Sequence, residues 1–147
     1  MDQSTEFTST YPLPNRPRKK PPLRVFLVED LPMVRNRVVE SLEEIDGLEL
    51  AGFAESEDGA LSWLHSQPCD VVILDLELRQ GNGLGVLKDL ADHAPHPGLV
   101  KIVYSNHAGS NVRKAAAQLG ASFFFDKTLD TPKLRPLLEK LSAARAS

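Results

Sequence analysis

Several things are scarce in this chain. It has one cysteine, Cys69, in 147 residues. That excludes an internal disulfide and a cysteine-rich zinc cluster, and it fits a reducing compartment. Cys69 reads as a small residue in the loop before a strand. There is no excess of positive charge: the formal net charge is −3, so the chain as a whole has no electrostatic case for binding nucleic acid. No apolar run approaches the ~18 residues of a membrane helix, and no membrane contact is expected. Met1-Asp2-Gln3-Ser4-Thr5 has neither the basic start nor the apolar core of a secretory signal, which leads to the expectation of a cytoplasmic location. There is no internal repeat. What remains is 41% hydrophobic and 25% charged, the composition of one ordinary globular domain.

Residues 1–22 are rich in Ser, Thr and Pro and end in Arg16-Pro17-Arg18-Lys19-Lys20-Pro21-Pro22. Such a segment buries too little apolar area to offset its ordering entropy, so it reads as a flexible, solvated leader. The domain is expected over 23–147. Its strands are read at Leu23 to Val28, Leu48 to Ala54, Asp70 to Asp75, Leu99 to Tyr104 and Ser122 to Phe125. Between them lie helical periods: Val34, Val38, Leu42 and Ile45; Ala60, Leu61 and Leu64; Leu84, Leu87, Leu90 and Ala91; Ser110 to Leu119; and Leu134, Leu137, Leu138 and Leu141. Pro32 suits the first turn of the first helix, and Asp46-Gly47 is read as its end. Ser56 is read as the cap of the second helix, Gly120 as the stop of the fourth, and Thr131 as the cap of the fifth with Pro132 following. Trp63 lies beside an apolar stripe and reads as packing. Alternation of this kind predicts an α/β, flavodoxin-like doubly wound sheet of five parallel strands, order 2-1-3-4-5, with helices on both faces.

The third strand, Val71-Val72-Ile73-Leu74, runs between Asp70 and Asp75 and carries β-branched residues suited to a sheet covered on both sides. Four of the five strands end in a polar residue: Glu29-Asp30, Asp75, Ser105 and Lys127. Each alone has a plain reading as a cap, a turn or a solvated lysine. Together they fall on the edge where ligands sit in open α/β sheets. Two carboxylates about 4 Å apart repel by roughly 4 kcal/mol at an effective dielectric near 20. A divalent cation relieves this, and Mg²⁺ favours one or two carboxylates, waters and phosphate oxygens. Asp30 and Asp75 can be direct ligands, with Glu29 direct or through water. Lys127 adds a fixed positive charge, and the Ser105 hydroxyl can donate to a phosphoryl oxygen. The set suits phosphoryl transfer to Asp75.

From about Leu23 to Ala144 the chain resembles a bacterial two-component response-regulator receiver domain. The matching stretches are Val28-Glu29-Asp30, Leu74-Asp75 with Gly83-Leu84 beyond it, Ser105, and Phe125-Asp126-Lys127; 30 residues separate Asp75 from Ser105 and 22 separate Ser105 from Lys127. The stretch Val28 to Arg35 is similar to receivers that often precede a helix-turn-helix output. The resemblance implies that Asp75 is phosphorylated by a sensor histidine kinase or phosphotransfer protein. It implies that Glu29, Asp30, Asp75 and the main-chain carbonyl of Glu77 hold Mg²⁺, that Ser105 and Lys127 sense the phosphoryl group, and that Phe124 is the switch aromatic. It also implies a docking face made by the fourth helix, fifth strand and fifth helix, for a downstream protein or a second copy. Only 20 residues follow Lys127, so the expectation is a phosphoacceptor, not a turnover enzyme, without an output domain in this chain.

Three positions depart from the family pattern. Thr128 stands where proline usually follows the lysine. A cis bond there would cost about 2.5–4 kcal/mol without proline, so trans is expected. Asn106 replaces a small residue, and Glu77 and His107 fill the variable positions flanking the phosphoryl site. These three are read as tuning solvent access. His65, His93 and His96 show no ligand spacing in sequence. Two alternatives stay open: an unphosphorylated pseudo-receiver that only binds partners, and a metal-dependent nucleic-acid enzyme of topoisomerase-primase type, built on Glu29, Asp75 and Glu77.

Overall fold

The structure is a computed structural model, and it describes residues 21–93, 97–106 and 109–146. The elements in chain order are β1 (Leu23–Val28), α1 (Pro32–Glu43), β2 (Leu48–Ala54), α2 (Glu57–Ser66), β3 (Val71–Leu74), α3 (Gly83–His93), β4 (Val100–Ser105), α4 (Ser110–Gln118), β5 (Phe123–Asp126) and α5 (Thr131–Ala146). All four strand pairings are parallel, and the order across the sheet is β2-β1-β3-β4-β5. This is the expected five-stranded, doubly wound arrangement. The reversal of strand order falls between β1 and β3.

Strand side chains alternate between two cores. Phe26, Val28, Val72, Leu74 and Val103 pack with Ala60 and Leu64 of α2, Val86, Leu87 and Leu90 of α3, and Ala116 of α4. Val25, Leu27, Val71, Ile73, Ile102 and Tyr104 pack on the other side, with Val38 and Leu42 of α1 and Leu134 and Leu138 of α5. Both faces of β3 are therefore closed, which is why its four residues are all buried. Each buried Val, Leu, Ile or Phe contributes about 1.5–3 kcal/mol. Trp63 stacks on Phe26 with ring centroids 4.0 Å apart. Gly52 makes room for it, since a β-carbon there would meet the Trp63 indole nitrogen at 2.7 Å.

The turn chemistry agrees with the sequence at three helix ends and differs at two. Leu31 precedes Pro32 at the start of α1. The Ser56 hydroxyl accepts from the Gly59 amide at 3.0 Å. Gly120 (φ +99°) ends α4, with Gly120 N–H to Ala117 carbonyl and Ala121 N–H to Ala116 carbonyl both 3.0 Å. The first helix, however, ends at Glu43, before the expected Asp46-Gly47. Glu44 and Ile45 close it with tight turns to Ser41 and Leu42, and Gly47 (φ +76°) instead turns the chain into β2. Thr131 is not the expected cap of α5. Its hydroxyl donates back to the Lys127 carbonyl at 2.6 Å and also pairs with the Tyr104 hydroxyl at 2.7 Å.

Candidate functional site

The sheet register carries the site. The Asp75 amide, one residue past β3, donates to the Val28 carbonyl of β1 at 3.0 Å. The Glu29 amide, one past β1, donates to Ala54 of β2 at 3.0 Å, and the Lys127 amide, one past β5, donates to Ser105 of β4 at 3.1 Å. The strand ends are thus pinned to one another by main-chain bonds, and their next residues emerge side by side. Gly83 brings the start of α3 against this rim. A β-carbon at Gly83 would lie 2.3 Å from the Asp75 carbonyl oxygen.

Asp75 is buried and fully engaged. Its Oδ1 accepts from the Ser105 hydroxyl at 2.6 Å and from the Glu77 amide at 3.0 Å. Its Oδ2 accepts from Lys127 Nζ at 2.7 Å. Lys127 Nζ also lies 2.6 Å from Glu29 Oε1, and the three side chains are 8% exposed or less. Glu29 Oε2 accepts from the Leu31 amide at 3.1 Å. Burial pushes the Glu29 carboxyl above its ordinary range, against the pull of Lys127 and the Leu31 amide. Burial by itself would lower the Lys127 ammonium, but its hydrogen bonds to Asp75 and Glu29 prevail and hold it above the usual lysine value. Thr128 in place of proline does not turn Lys127 away from Asp75.

Glu29, Asp30 and Asp75 each offer an oxygen within 4.8 Å of the others, and they are the one such group of three among the described residues. Three carboxylates outnumber the Lys127 ammonium and the exposed Arg79 guanidinium, whose Nε lies 3.9 Å from Asp30, and leave negative charge in excess at this rim. A hard divalent cation matches that charge and that all-oxygen donor set. Asp30 is held in place by the Arg79 amide, which donates to its Oδ2 at 2.8 Å.

The remaining expected residues are distributed as follows. Ser105 is buried, and its oxygen also accepts from the Leu76 amide at 3.3 Å. Phe124 lies away from the carboxylates, half-buried against the α2–α3–α4 core, with the Arg113 guanidinium 4.4 Å from its ring centre. The Glu77 side chain is exposed. Asn106 accepts from the Thr128 hydroxyl at 3.3 Å and lines a recess of about 180 Å³ with Leu76, Glu77, Asn82, Leu84, Ser105 and Val112. His107 lies outside the described residues, as do His96 and the leader up to residue 20.

Five residues contribute in ways that were not foreseen. Arg79 orients Asp30, and Thr131 with Tyr104 anchors the Lys127 carbonyl. The Asn82 side chain caps α3 by accepting from the Gly85 amide at 3.0 Å, a pattern that an Asn three residues before a helical amide does signal. Glu57 reaches from α2 to accept from the Asn82 amide at 3.0 Å; it fills the space left by Gly81 and Gly85, and no local signal marks it.

Comparison with known proteins agrees with this geometry. The family described as response regulator receiver domain matches residues 25–139. A protein-glutamate methylesterase/protein-glutamine glutaminase from Desulfotalea psychrophila is 32% identical over 124 residues, covering 84% of this chain and 33% of the relative. The transcriptional regulatory protein MalR of Bacillus subtilis is 31% identical over 116 residues, 79% of this chain and 48% of that protein. The chain thus spans a third to a half of the length of these two relatives. The response regulator domain of Thermotoga maritima CheB superposes with a TM-score of 0.71 at 23% identity, covering 85% of this chain and 96% of that one. The signal receiver domain of a NarL response regulator from Mycobacterium tuberculosis gives 0.73 at 22% identity, covering 84% and 98%. With the sheet order, the acid–hydroxyl–lysine rim and the match over 25–139 in agreement, the chain belongs to the response-regulator receiver family.

Proposed function

We propose that this receiver takes a phosphoryl group onto Asp75 from a sensor histidine kinase or phosphotransfer protein, with Mg²⁺ as cofactor. The observation that carries the reading is the Asp75 carboxylate held between the Lys127 ammonium at 2.7 Å and the Ser105 hydroxyl at 2.6 Å, beside two further acids. An Asp75 oxygen attacks phosphorus in line. The bond from phosphorus to the donor atom breaks, and its electron pair leaves with the donor. Glu29, Asp30, Asp75 and the main-chain carbonyl of Glu77 would hold the ion, which when bound offsets negative charge on the transferred oxygens. Lys127 Nζ exchanges its contact with the carboxylate for one with a phosphoryl oxygen, and Ser105 Oγ–H does the same. Asn106, Glu77 and His107 border the route to solvent and set how fast water reaches the acyl phosphate.

Ser105 and Phe124 form the switch in this reading. Moving Ser105 toward the phosphoryl group vacates space on the α4 side, and the Phe124 ring follows. This reshapes the α4–β5–α5 face for a downstream protein or a second copy. The receiver domain in this reading is residues 23–147; the leader up to residue 20 lies outside the described residues. Among the described residues no helix is long and apolar enough to cross a membrane, and a cytoplasmic location suits a kinase-facing receiver. Any activity of a longer protein containing this region lies outside the phosphoacceptor itself. The test is incubation with acetyl phosphate and Mg²⁺, read by intact mass. Wild type gains one phosphoryl group and Asp75→Asn gains none. A wild-type chain that stays unmodified points to the partner-binding pseudo-receiver and ends the proposal.

A further inference from the structure

The loop between β3 and α3 is fixed from two sides. On one side the acidic rim holds it: the Glu77 amide donates to Asp75 Oδ1 at 3.0 Å, and the Arg79 amide donates to Asp30 Oδ2 at 2.8 Å. On the other side the first residue of α2 holds it. The Glu57 amide donates to the Gln80 carbonyl at 3.1 Å, and Glu57 Oε1 accepts from the Asn82 amide at 3.0 Å. A β-bridge between Glu77 and Asn82 joins the two sides. Beyond Asn82, the Gly83 amide donates to the Leu76 carbonyl at 3.0 Å, which ties the start of α3 to the residue after Asp75. The half-buried Glu57 side chain fits because two glycines leave it room. A β-carbon at Gly81 would lie 2.4 Å from Glu57 Cβ, and one at Gly85 would lie 2.3 Å from Glu57 Oε2.

We propose that Glu57 is a positioning residue for the phosphoryl site, holding the β3–α3 loop so that the main-chain carbonyl of Glu77 is presented to Mg²⁺. The inference rests on Asp75 being the phosphoryl acceptor with Mg²⁺ beside it. Glu57 touches neither the ion nor the transferred group; it acts through Asn82. A main-chain carbonyl has no rotamer of its own, so the peptide plane on either side sets its direction. The rim fixes that plane from within, and Glu57 fixes the return of the loop from without. A carboxylate accepting from a main-chain amide makes a strong, charge-assisted bond. Its place at the start of α3 adds the attraction of the helix dipole. Glu57 is thus an outer partner of a metal ligand, and loss of such a partner weakens metal binding while every ligand remains. Gly85 is its counterpart. A methyl group there evicts the carboxylate, because the flexible end of the Glu57 side chain gives way before the backbone does.

The test is a calorimetric titration of Mg²⁺ into the full chain, with Asp30→Asn as the control that assigns the heat to the rim. Glu57→Ala is expected to weaken Mg²⁺ binding about ten-fold, the low end for outer partners, since the carboxylate ligands stay in place. Glu57→Gln keeps an acceptor oxygen at the same reach and is expected to recover most of that loss. Gly85→Ala is expected to weaken Mg²⁺ binding in the wild-type background and to add nothing in the Glu57→Ala background. Hydrogen exchange in EDTA reads the loop without the metal: the Asn82 amide is expected to lose protection in Glu57→Ala and to keep it in Glu57→Gln. Acetyl-phosphate labelling of Glu57→Ala is expected to slow at subsaturating Mg²⁺ and to return to the wild-type rate at saturation. Unchanged Mg²⁺ affinity in Glu57→Ala overturns this role while leaving Asp75 as the acceptor, and so do Glu57→Ala and Gly85→Ala effects that simply add. A wild type that binds no Mg²⁺ and takes no label ends both the role of Glu57 and the function it serves.

Discussion

Asp70 and Asp75 stand at opposite ends of the same four-residue strand, and they have opposite fates. Asp70 is about one third exposed, and its oxygens are committed to fixed partners: Oδ2 accepts from the Arg24 amide at 2.8 Å and Oδ1 from Arg145 Nη1 at 3.0 Å. It ties β1, β3 and the end of α5 together. Asp75 is buried, and two of its partners are the side chains of Lys127 and Ser105, groups that can transfer their hydrogen bonds to a new oxygen. The same residue type is a latch at one end and the proposed phosphoryl acceptor at the other. The difference lies in burial and in the crowding of like charge. One rim spreads its acids among arginines near solvent; the other buries two carboxylates about one lysine, with a third beside them.

The sharpest way to test that contrast is to remove the cation at each end. Lys127→Ala leaves Glu29 and Asp75 buried without their counter-charge, and about 3–5 kcal/mol of stability should be lost in urea unfolding without Mg²⁺. Arg145→Ala, at a pair about one third exposed, should cost under about 1 kcal/mol. Equal losses would erase the distinction. Next in size, Asp70→Ala should cost about 1–2 kcal/mol through the lost bond to the Arg24 amide, while leaving acetyl-phosphate labelling of Asp75 intact. Mg²⁺ should then stabilise wild type by about 1.4 kcal/mol when free ion is tenfold above its Kd, and EDTA should remove the gain. Asp30→Asn should show little of it.

An effect that is silent at neutral pH belongs to the Asp70 end. Burial, with Asp70 adding to it, pushes the neighbouring Cys69 thiol from 9.0 up to about 12. The folded chain then keeps a proton that the unfolded chain releases, so stability falls as pH rises from about 9 toward 12. Cys69→Ala should shallow that decline in urea midpoints measured across the window. An identical slope in the variant would assign the decline to other groups.

Much of this architecture was readable before any coordinates, because it rests on local rules. Val71 to Leu74 announced a strand closed on both faces, and its neighbours Asp75, Ser105 and Lys127 fell at strand ends that parallel topology must bring to one edge. Ser56 and Gly120 behaved as their chemistry requires. Failures came where a side chain had a stronger distant partner. Thr131 has the right identity for a cap, yet its hydroxyl is drawn to Lys127 and Tyr104, both brought near only by the folded sheet. Asp46-Gly47 has the right identity for a helix stop, but the turn into β2 claims the glycine. Glu57 and Arg79 depend on contacts between elements, which periodicity cannot encode.

The main-chain pinning of the strand ends carries a consequence for how such a molecule can vary. Strand residues face alternate sides, so shortening β3 by one would present a leucine where the carboxylate now stands. Insertions in the loops at the opposite pole merely lengthen the periphery. Strand length is therefore the inherited constant of this scaffold, and surface loops are where lineages can diverge while the chemistry stays in place.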